Sequence, residues 1–108
     1  MITRIVKLEL QEERIEDFLS FFDTIKHIVN EFPGCSGMKL YQDINRPTIV
    51  MTYSHWDNEA SLENYRNSEQ FGMIWPKIKP WFDAKPEAWS VGAYFNGFEE
   101  KKQIINNK

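Results

Sequence analysis

Apolar and polar residues alternate along four stretches of the chain, which is typical of β-strands that bury one face. In the first stretch, residues 2–10, the apolar side chains on one side of the extended chain are Ile2, Val6, Leu8 and Leu10. The stretches 35–43, 49–56 and 89–95 are also predicted to be strands, and residues 49–56 are rich in β-branched and aromatic residues. Residues 45–47 predict a hairpin loop, so the second and third strands should pair antiparallel.

Between the first two strands the apolar spacing changes from two residues to three and four. Over residues 12–32 it forms one continuous stripe, made by Ile15, Phe18, Leu19, Phe22, Ile25, Val29 and Phe32. This period predicts an amphipathic helix. We expect Pro33 and Gly34 to end it, because proline disfavours helical geometry before it and glycine accepts turn dihedrals.

A second helical region follows the third strand and has two start signals. Asp57 or Asn58 can cap a first helix, and Ser68 can cap a second one. The second helix then places Phe71, Ile74, Trp75 and Ile78 at helical spacing. Because Pro76 has no N–H to donate, we expect a break or a tight turn between residues 75 and 80.

The predicted order is strand, helix, strand, strand, helix, strand. Two right-handed crossovers in this order give a four-stranded antiparallel sheet with the helices on one face, so the predicted fold class is α+β, a ferredoxin-like βαββαβ subunit. The other face carries apolar side chains such as Ile49, Met51 and Tyr53, and such a face is seldom left in water. We therefore expect a two-fold homodimer that buries on the order of 1,200–2,000 Å² or more in total.

Composition narrows the function classes. The chain of 108 residues has a formal net charge of -3 and no basic cluster, which argues against a nucleic-acid partner or a membrane surface. Its apolar runs are too short for a membrane span or a signal peptide, so we expect a cytoplasmic protein. The single cysteine, Cys35, excludes an internal disulfide. Aromatic residues make up 15% of the chain, a surplus that predicts a cavity or an interface lined with rings.

Several local motifs together resemble one known family. They are the turn Pro33-Gly34-Cys35, the run Ser54-His55-Trp56-Asp57 leading into Ala60 and Leu62, and the helical step Tyr65, Ser68, Phe71. With the long first helix, this pattern is similar to that of the antibiotic biosynthesis monooxygenase domain, a dimeric α/β barrel. The resemblance covers roughly residues 2–95, which implies one such domain over residues 1–96 and a polar tail over residues 97–108.

The family includes haem-degrading enzymes, but this chain departs from their pattern. It has Lys7 near the place of their strand asparagine, Tyr65 in place of a helical tryptophan, and Trp75 in place of the iron-binding histidine. The resemblance therefore implies no haem, and we expect no cofactor. His27 and His55 are the only histidines, and no carboxylate spacing joins them into a metal site.

The resemblance implies instead a cofactor-independent oxygenase that binds a small hydrophobic or aromatic molecule, such as a quinol, between the helices and the sheet. The candidate catalytic residues are His27, His55 and Tyr65, since an imidazole titrates near neutral pH. The candidate substrate-binding residues are Phe22, Tyr65, Phe71 and Trp75. Two alternatives stay open: these rings form ordinary core, or the cavity belongs to a non-catalytic ligand-binding or stress-related protein.

Overall fold

The computed structural model describes residues 1–99. The strands are β1 (Ile2–Glu9), β2 (Cys35–Gln42), β3 (Ile49–Trp56) and β4 (Glu87–Val91). The helices are α1 (Ile15–Asn30), α2 (Glu59–Arg66) and α3 (Glu69–Ile78), with short 3₁₀ turns at Glu12–Arg14 and Lys79–Trp81. Most of the predicted tail, from residue 100 onward, lies outside the described residues.

The four strands form one antiparallel sheet in the order β2-β3-β1-β4. This order and the sequence of elements confirm the predicted ferredoxin-like βαββαβ subunit. The predicted hairpin is also confirmed, and its loop is held by the Asp43 carboxylate, which accepts hydrogen bonds from the N–H groups of Asn45 and Arg46 at 2.8 and 2.9 Å. The two central strands, β1 and β3, therefore support the residues on which the helices pack.

Strand alternation gives the sheet two faces that differ in their covering. The covered face, beneath the helices, carries Arg4, Val6, Leu8, Val50, Thr52, Ser54, Trp56, Ala88 and Ser90. The bare face, on the other side, carries Thr3, Ile5, Lys7, Lys39, Tyr41, Met51, Tyr53, His55, Glu87, Trp89 and Val91. Trp89 and Val91 on this face are 42% and 43% exposed in the single chain, so the described residues leave them only partly covered.

The predicted helix starts are confirmed, and the break or tight turn expected between residues 75 and 80 lies after Ile78, where α3 ends and the 3₁₀ turn Lys79–Trp81 begins. The Asn58 side chain accepts a hydrogen bond from the Ser61 N–H at 2.9 Å, and the Ser68 hydroxyl accepts one from the Phe71 N–H at 3.1 Å. However, α3 continues through Pro76 to its end at Ile78. Pro76 is tolerated because it is exposed, so water can hydrogen-bond the carbonyl that lacks a helical donor.

Two other element ends differ from the sequence prediction. The first helix begins with a 3₁₀ turn, so α1 occupies residues 15–30 of the predicted 12–32. The last strand was expected over residues 89–95 but ends at Val91. The reason is its partner: β4 pairs with β1, whose Thr3 faces Val91, and β1 begins one residue earlier. In the described part of the chain, residues 92–99 have no strand beside them.

The turn between α1 and β2 contains a glycine that packs closely against the start of α2. Gly34 has a φ of 88°, and a side chain at this position would overlap the Ser61 side chain. Its carbonyl accepts a hydrogen bond from the Asp57 N–H at 2.9 Å. This close approach fixes α2 over one end of the sheet.

The core lies between the covered face and the helices. Its buried members are Leu8, Leu10, Phe18, Ile25, Val50, Ile74 and Ile78. They occupy the end of the sheet near Leu10, which is itself bridged to Phe82. Five of these residues also border an open space in the same layer: Leu8, Phe18, Ile25, Ile74 and Ile78. No helix among residues 1–99 is long and apolar enough to cross a membrane.

Candidate functional site

A cavity of about 470 Å³ opens between the covered face and the three helices. The sheet supplies its floor through the covered-face residues of β1, β3 and β4, and α1 supplies one wall through Phe18, Phe22 and Ile25. A second wall comes from α2 and α3. The volume falls within the range of small-molecule sites, which is about 300–1,000 Å³.

The second wall is a row of aromatic rings, which we call the aromatic wall: Trp56, Tyr65, Phe71 and Trp75. Successive ring centroids are 5.2, 5.3 and 5.7 Å apart, with stacked, edge-on and stacked contacts in that order. These separations are the ones at which aromatic pairs attract. The wall is therefore held in place by its own contacts while its free faces line the cavity, an arrangement suited to a flat, apolar ligand.

Tyr65 is the aromatic wall's one phenol. Burial raises its pKa to about 12, with a smaller contribution from the nearby Cys35. The hydroxyl is therefore protonated near neutral pH and can donate a hydrogen bond to an oxygen atom of a ligand. The Tyr65 carbonyl accepts a hydrogen bond from the Ser68 hydroxyl at 2.6 Å, and this bond joins the end of α2 to the start of α3.

The floor of the cavity becomes polar at the end where α2 lies. Arg4 faces Ser54 on one side and Ser90 on the other, so a guanidinium and two hydroxyls form a row across β3, β1 and β4. The Ser54 hydroxyl accepts a hydrogen bond from Trp56 Nε1 at 2.9 Å, and both residues are buried. Ser54 thereby fixes the position of the first ring of the aromatic wall.

The helix above this polar end carries charge as well. Glu63, Arg66 and Asn67 border the cavity, and Arg66 Nη1 lies 3.5 Å from Glu63 Oε2. Both of these charged side chains are about half exposed, so they mark the side of the cavity that is open to water. The apolar interior thus has one charged mouth.

All four residues predicted to bind substrate border this cavity: Phe22, Tyr65, Phe71 and Trp75. The structure brings together residues from α1, α2 and α3 that are up to 53 positions apart in the chain. The rings border an open space, and Phe22 and Trp75 also pack against the buried core. Their contact with a substrate stays a prediction.

Neither candidate histidine, His27 or His55, borders the cavity. His55 alternates with Ser54 and Trp56, so it points to the bare face, where its Nε2 lies 3.0 Å from the Tyr53 hydroxyl. The His27 side chain is 76% exposed on α1, with its Nδ1 3.7 Å from Glu31 Oε2. Tyr65 is the one candidate catalytic residue that the cavity contains.

Sequence reasoning missed the polar residues that border the cavity, Arg4, Thr52, Ser54, Glu63, Arg66 and Asn67, and also Ser90, which accepts a hydrogen bond from Arg4. Arg4 had a detectable signal, because it shares the strand phase of Ile2, Val6 and Leu8 and is the one charged residue in that row. The serines had none, because single serines are common in strands. Within residues 1–99, no cluster of three or more His, Cys, Asp or Glu side chains has the arrangement of a metal site.

Comparisons with solved structures agree with this architecture. One, of an antibiotic biosynthesis monooxygenase, superposes with a TM-score of 0.82 at 19% identity and covers 88% of this chain and 100% of that one. The structure of a conserved protein from Methanosarcina mazei Go1 superposes with a TM-score of 0.78 at 23% identity and covers 84% of this chain and 91% of that one. The structure of a protein from Mycobacterium tuberculosis superposes with a TM-score of 0.79 at 9% identity and covers 88% of this chain and 96% of that one. At these identities the likeness shows the fold alone.

Sequence comparison gives the family. No curated protein sequence matches the chain at a significant level. A family model described as antibiotic biosynthesis monooxygenase, however, matches residues 1–74, which extend from β1 into α3 and include most of the cavity lining. The chain belongs to the antibiotic biosynthesis monooxygenase family.

Proposed function

We propose that this protein is a cofactor-independent monooxygenase that acts on a small aromatic or quinol-like molecule inside the cavity. One observation carries the proposal: an open volume of about 470 Å³ is bordered by the aromatic wall and reached through a charged mouth. Family membership supports monooxygenase-like chemistry in general terms. The choice of substrate comes from the cavity's shape and lining.

In such a reaction the substrate itself supplies the electrons that reduce oxygen. An anthrone, for example, becomes an anthraquinone: one oxygen atom forms the new carbonyl and the other leaves as water. The substrate must first lose a proton, because its anion is the electron-rich species that reacts with oxygen. The cavity contributes by binding the ring against the aromatic wall and limiting access of water, and Tyr65 contributes a hydrogen-bond donor.

Oxygen uptake tests this proposal directly. With anthrone or a reduced naphthoquinone, the native protein should consume oxygen faster than the same solution without protein. Tyr65→Phe should lower the protein-dependent rate by about tenfold, because it removes the hydroxyl donor and keeps the ring. Tyr94→Phe, a change at an exposed position away from the cavity, is the matched control and should keep the native rate.

A second candidate is a non-catalytic protein that binds a small hydrophobic ligand in the same cavity. The observation that favours it is the position of His27 and His55, both outside the cavity, which leaves no imidazole base beside the ligand. A protein of this kind would bind anthrone and protect it from oxygen. Uptake equal to or slower than the protein-free background with both compounds would overturn the oxygenase proposal in favour of this candidate.

We also propose that two copies of the chain associate through their bare faces. Ile5, Tyr53 and Trp89 form an apolar row across three strands of that face. The described helices lie on the other side of the sheet and do not cover this row. The rings of Tyr94, Phe95 and Phe98, beyond the last strand, are largely exposed and give a second copy more apolar surface to bury. Sedimentation at micromolar concentration tests this: a dimer is expected, and a stable monomer would overturn it.

A further inference from the structure

Arg4 occupies a position where the sequence pattern calls for an apolar side chain. It lies on β1, the strand between β3 and β4, and it borders the cavity in the same row as Val6 and Leu8. Its neighbours across the sheet are Ser54 and Ser90. A guanidinium is therefore placed on the floor of a largely apolar cavity, with small side chains beside it.

The guanidinium of Arg4 has few partners for its donors. It has five N–H groups, and its Nη1 donates one hydrogen bond to the Ser90 hydroxyl at 3.0 Å. Each of the other arginines of the chain lies within 4.0 Å of a carboxylate: Arg14 with Asp17, Arg46 with Glu9 and Arg66 with Glu63. Within residues 1–99, Arg4 has no carboxylate within that distance.

The charges around the cavity reinforce this imbalance. Burial lowers the pKa of the Arg4 guanidinium, the positive charge of Arg66 lowers it further, and Glu63 acts in the opposite direction. Arginine nevertheless remains charged at all ordinary pH values. The charged residues that border the cavity are two arginines and one glutamate, a net charge of +1, in a chain whose formal net charge is -3. The cavity is thus locally attractive to a negative charge.

We infer that the cavity selects aromatic anions, in which a planar ring system lies against the aromatic wall and a carboxylate or other ionised oxygen receives hydrogen bonds from Arg4. A planar guanidinium fork matches a carboxylate, and the partly desolvated setting strengthens the contact. Arg66 is occupied by Glu63 and adds a longer-range attraction. This inference rests on the proposed use of the cavity as a ligand site and names the chemical class of the ligand.

The inference also explains how a substrate can ionise without an imidazole beside it. A cation beside the ligand favours the anionic form of a bound acid and lowers the pKa of that acid. A substrate with an acidic hydroxyl can then release its proton to water at the open mouth, and Arg4 holds the resulting anion. Arg4 is a binding residue in this scheme.

Two ligands with one ring system separate charge from shape. We would titrate the native protein with 2-naphthoate and with 2-naphthamide, its neutral counterpart, and follow the fluorescence of Trp56 and Trp75, which border the cavity. The native protein should bind the naphthoate about tenfold more tightly, a typical difference for one charge-assisted contact. Arg4→Gln should abolish this preference and leave the affinity for the naphthamide within about twofold of native. Arg14→Gln, at an exposed arginine on another surface, should keep the preference.

Equal affinities of the native protein for the two compounds, or no binding of the naphthoate, would overturn the inference. The comparison within the native protein needs no variant, so it stands even where Arg4→Gln folds poorly, and circular dichroism checks that folding. It is also independent of catalysis. A protein that prefers the naphthoate but consumes no oxygen with anthrone would keep the anion site and lose the oxygenase proposal, and the reverse result would do the opposite.

Discussion

The covered and bare faces of the sheet contain many residues of similar type, yet they differ in what lies in front of them. On the covered face, Leu10 and Val50 pack under the helices at one end, while Arg4 and Ser54 meet an open cavity toward the other. On the bare face no described helix packs against the sheet, and apolar residues such as Trp89 are partly exposed in the single chain.

The difference shows how strand alternation separates two roles along one short segment. Ser54, His55 and Trp56 are consecutive, but Ser54 and Trp56 belong to the cavity and His55 belongs to the opposite face. A residue type alone therefore says little about function in a strand, because a shift of one position changes its surroundings completely. The following predictions test that separation, beginning with the largest expected effect.

Removal of a packed side chain from the covered face should have the largest effect. Leu10→Ala should lower the free energy of unfolding by about 2–5 kcal/mol, because Leu10 is 1% exposed and its loss leaves a cavity. Urea unfolding measures this. Ile44→Ala is the control, because Ile44 is 94% exposed in the hairpin loop. This substitution should lower the free energy of unfolding by less than about 0.5 kcal/mol. A loss below about 1 kcal/mol for Leu10→Ala would contradict the assignment of the core.

A charge on the bare face should act on association and not on the fold of the subunit. Ile5→Asp places a carboxylate in the middle of the apolar row and should weaken the dimer by about a hundredfold, since a buried charge without a partner is costly. Ile44→Asp should leave association unchanged. Sedimentation over a range of concentrations, with circular dichroism as a folding check, gives the result. An unchanged dimer would place the interface elsewhere.

The tyrosine of the aromatic wall should make stability depend on alkaline pH. The pKa of Tyr65 is about 12 in the folded protein and about 10 in the unfolded chain, so the unfolded state loses its proton first as pH rises. The contribution of Tyr65 to the free energy of unfolding is therefore fully present below about pH 10. Between about pH 10 and 12 the free energy of unfolding falls by about 2 kcal/mol as this contribution is lost. Unfolding titrations should show that Tyr65→Phe lacks this part of the loss. Equal losses in both proteins would mean that the hydroxyl is not buried.

The histidines should have the smallest effect on the cavity. His27→Asn and His55→Asn are each expected to change the affinity for 2-naphthoate by less than about twofold, because neither side chain borders the cavity. Isothermal titration calorimetry measures both affinities. A tenfold loss for either variant would show that a histidine reaches the ligand after all, and the separation of the two faces would then need revision.

Most of the fold could be predicted from the sequence, because its signals are local and agree with one another. The change of apolar spacing after Leu10 marks the start of the first helical region, and Asn58 and Ser68 cap their helices as predicted. The errors arose where a distant partner decides the outcome. Residues 92–95 alternate like a strand, but β1 offers them nothing to pair with.

The site could be predicted only in part, for a related reason. Helical spacing placed Phe71 and Trp75 on the side that faces the sheet, and both border the cavity. The polar end depends on which residues lie side by side across β3, β1 and β4, a register that the sequence does not display. Arg4 was visible as an exception in an apolar row. His55 was proposed for its residue type, but its position in the strand alternation places it on the opposite face of the sheet.

The central claim is that the cavity is the place where this protein acts, and a variant that fills it gives the most direct test. Thr52→Phe adds a ring to the cavity floor, whereas Thr24→Phe adds the same ring to an exposed position on α1. Oxygen uptake with anthrone should fall to the protein-free background in Thr52→Phe and stay at the native rate in Thr24→Phe. Native uptake by a folded Thr52→Phe protein would contradict the account.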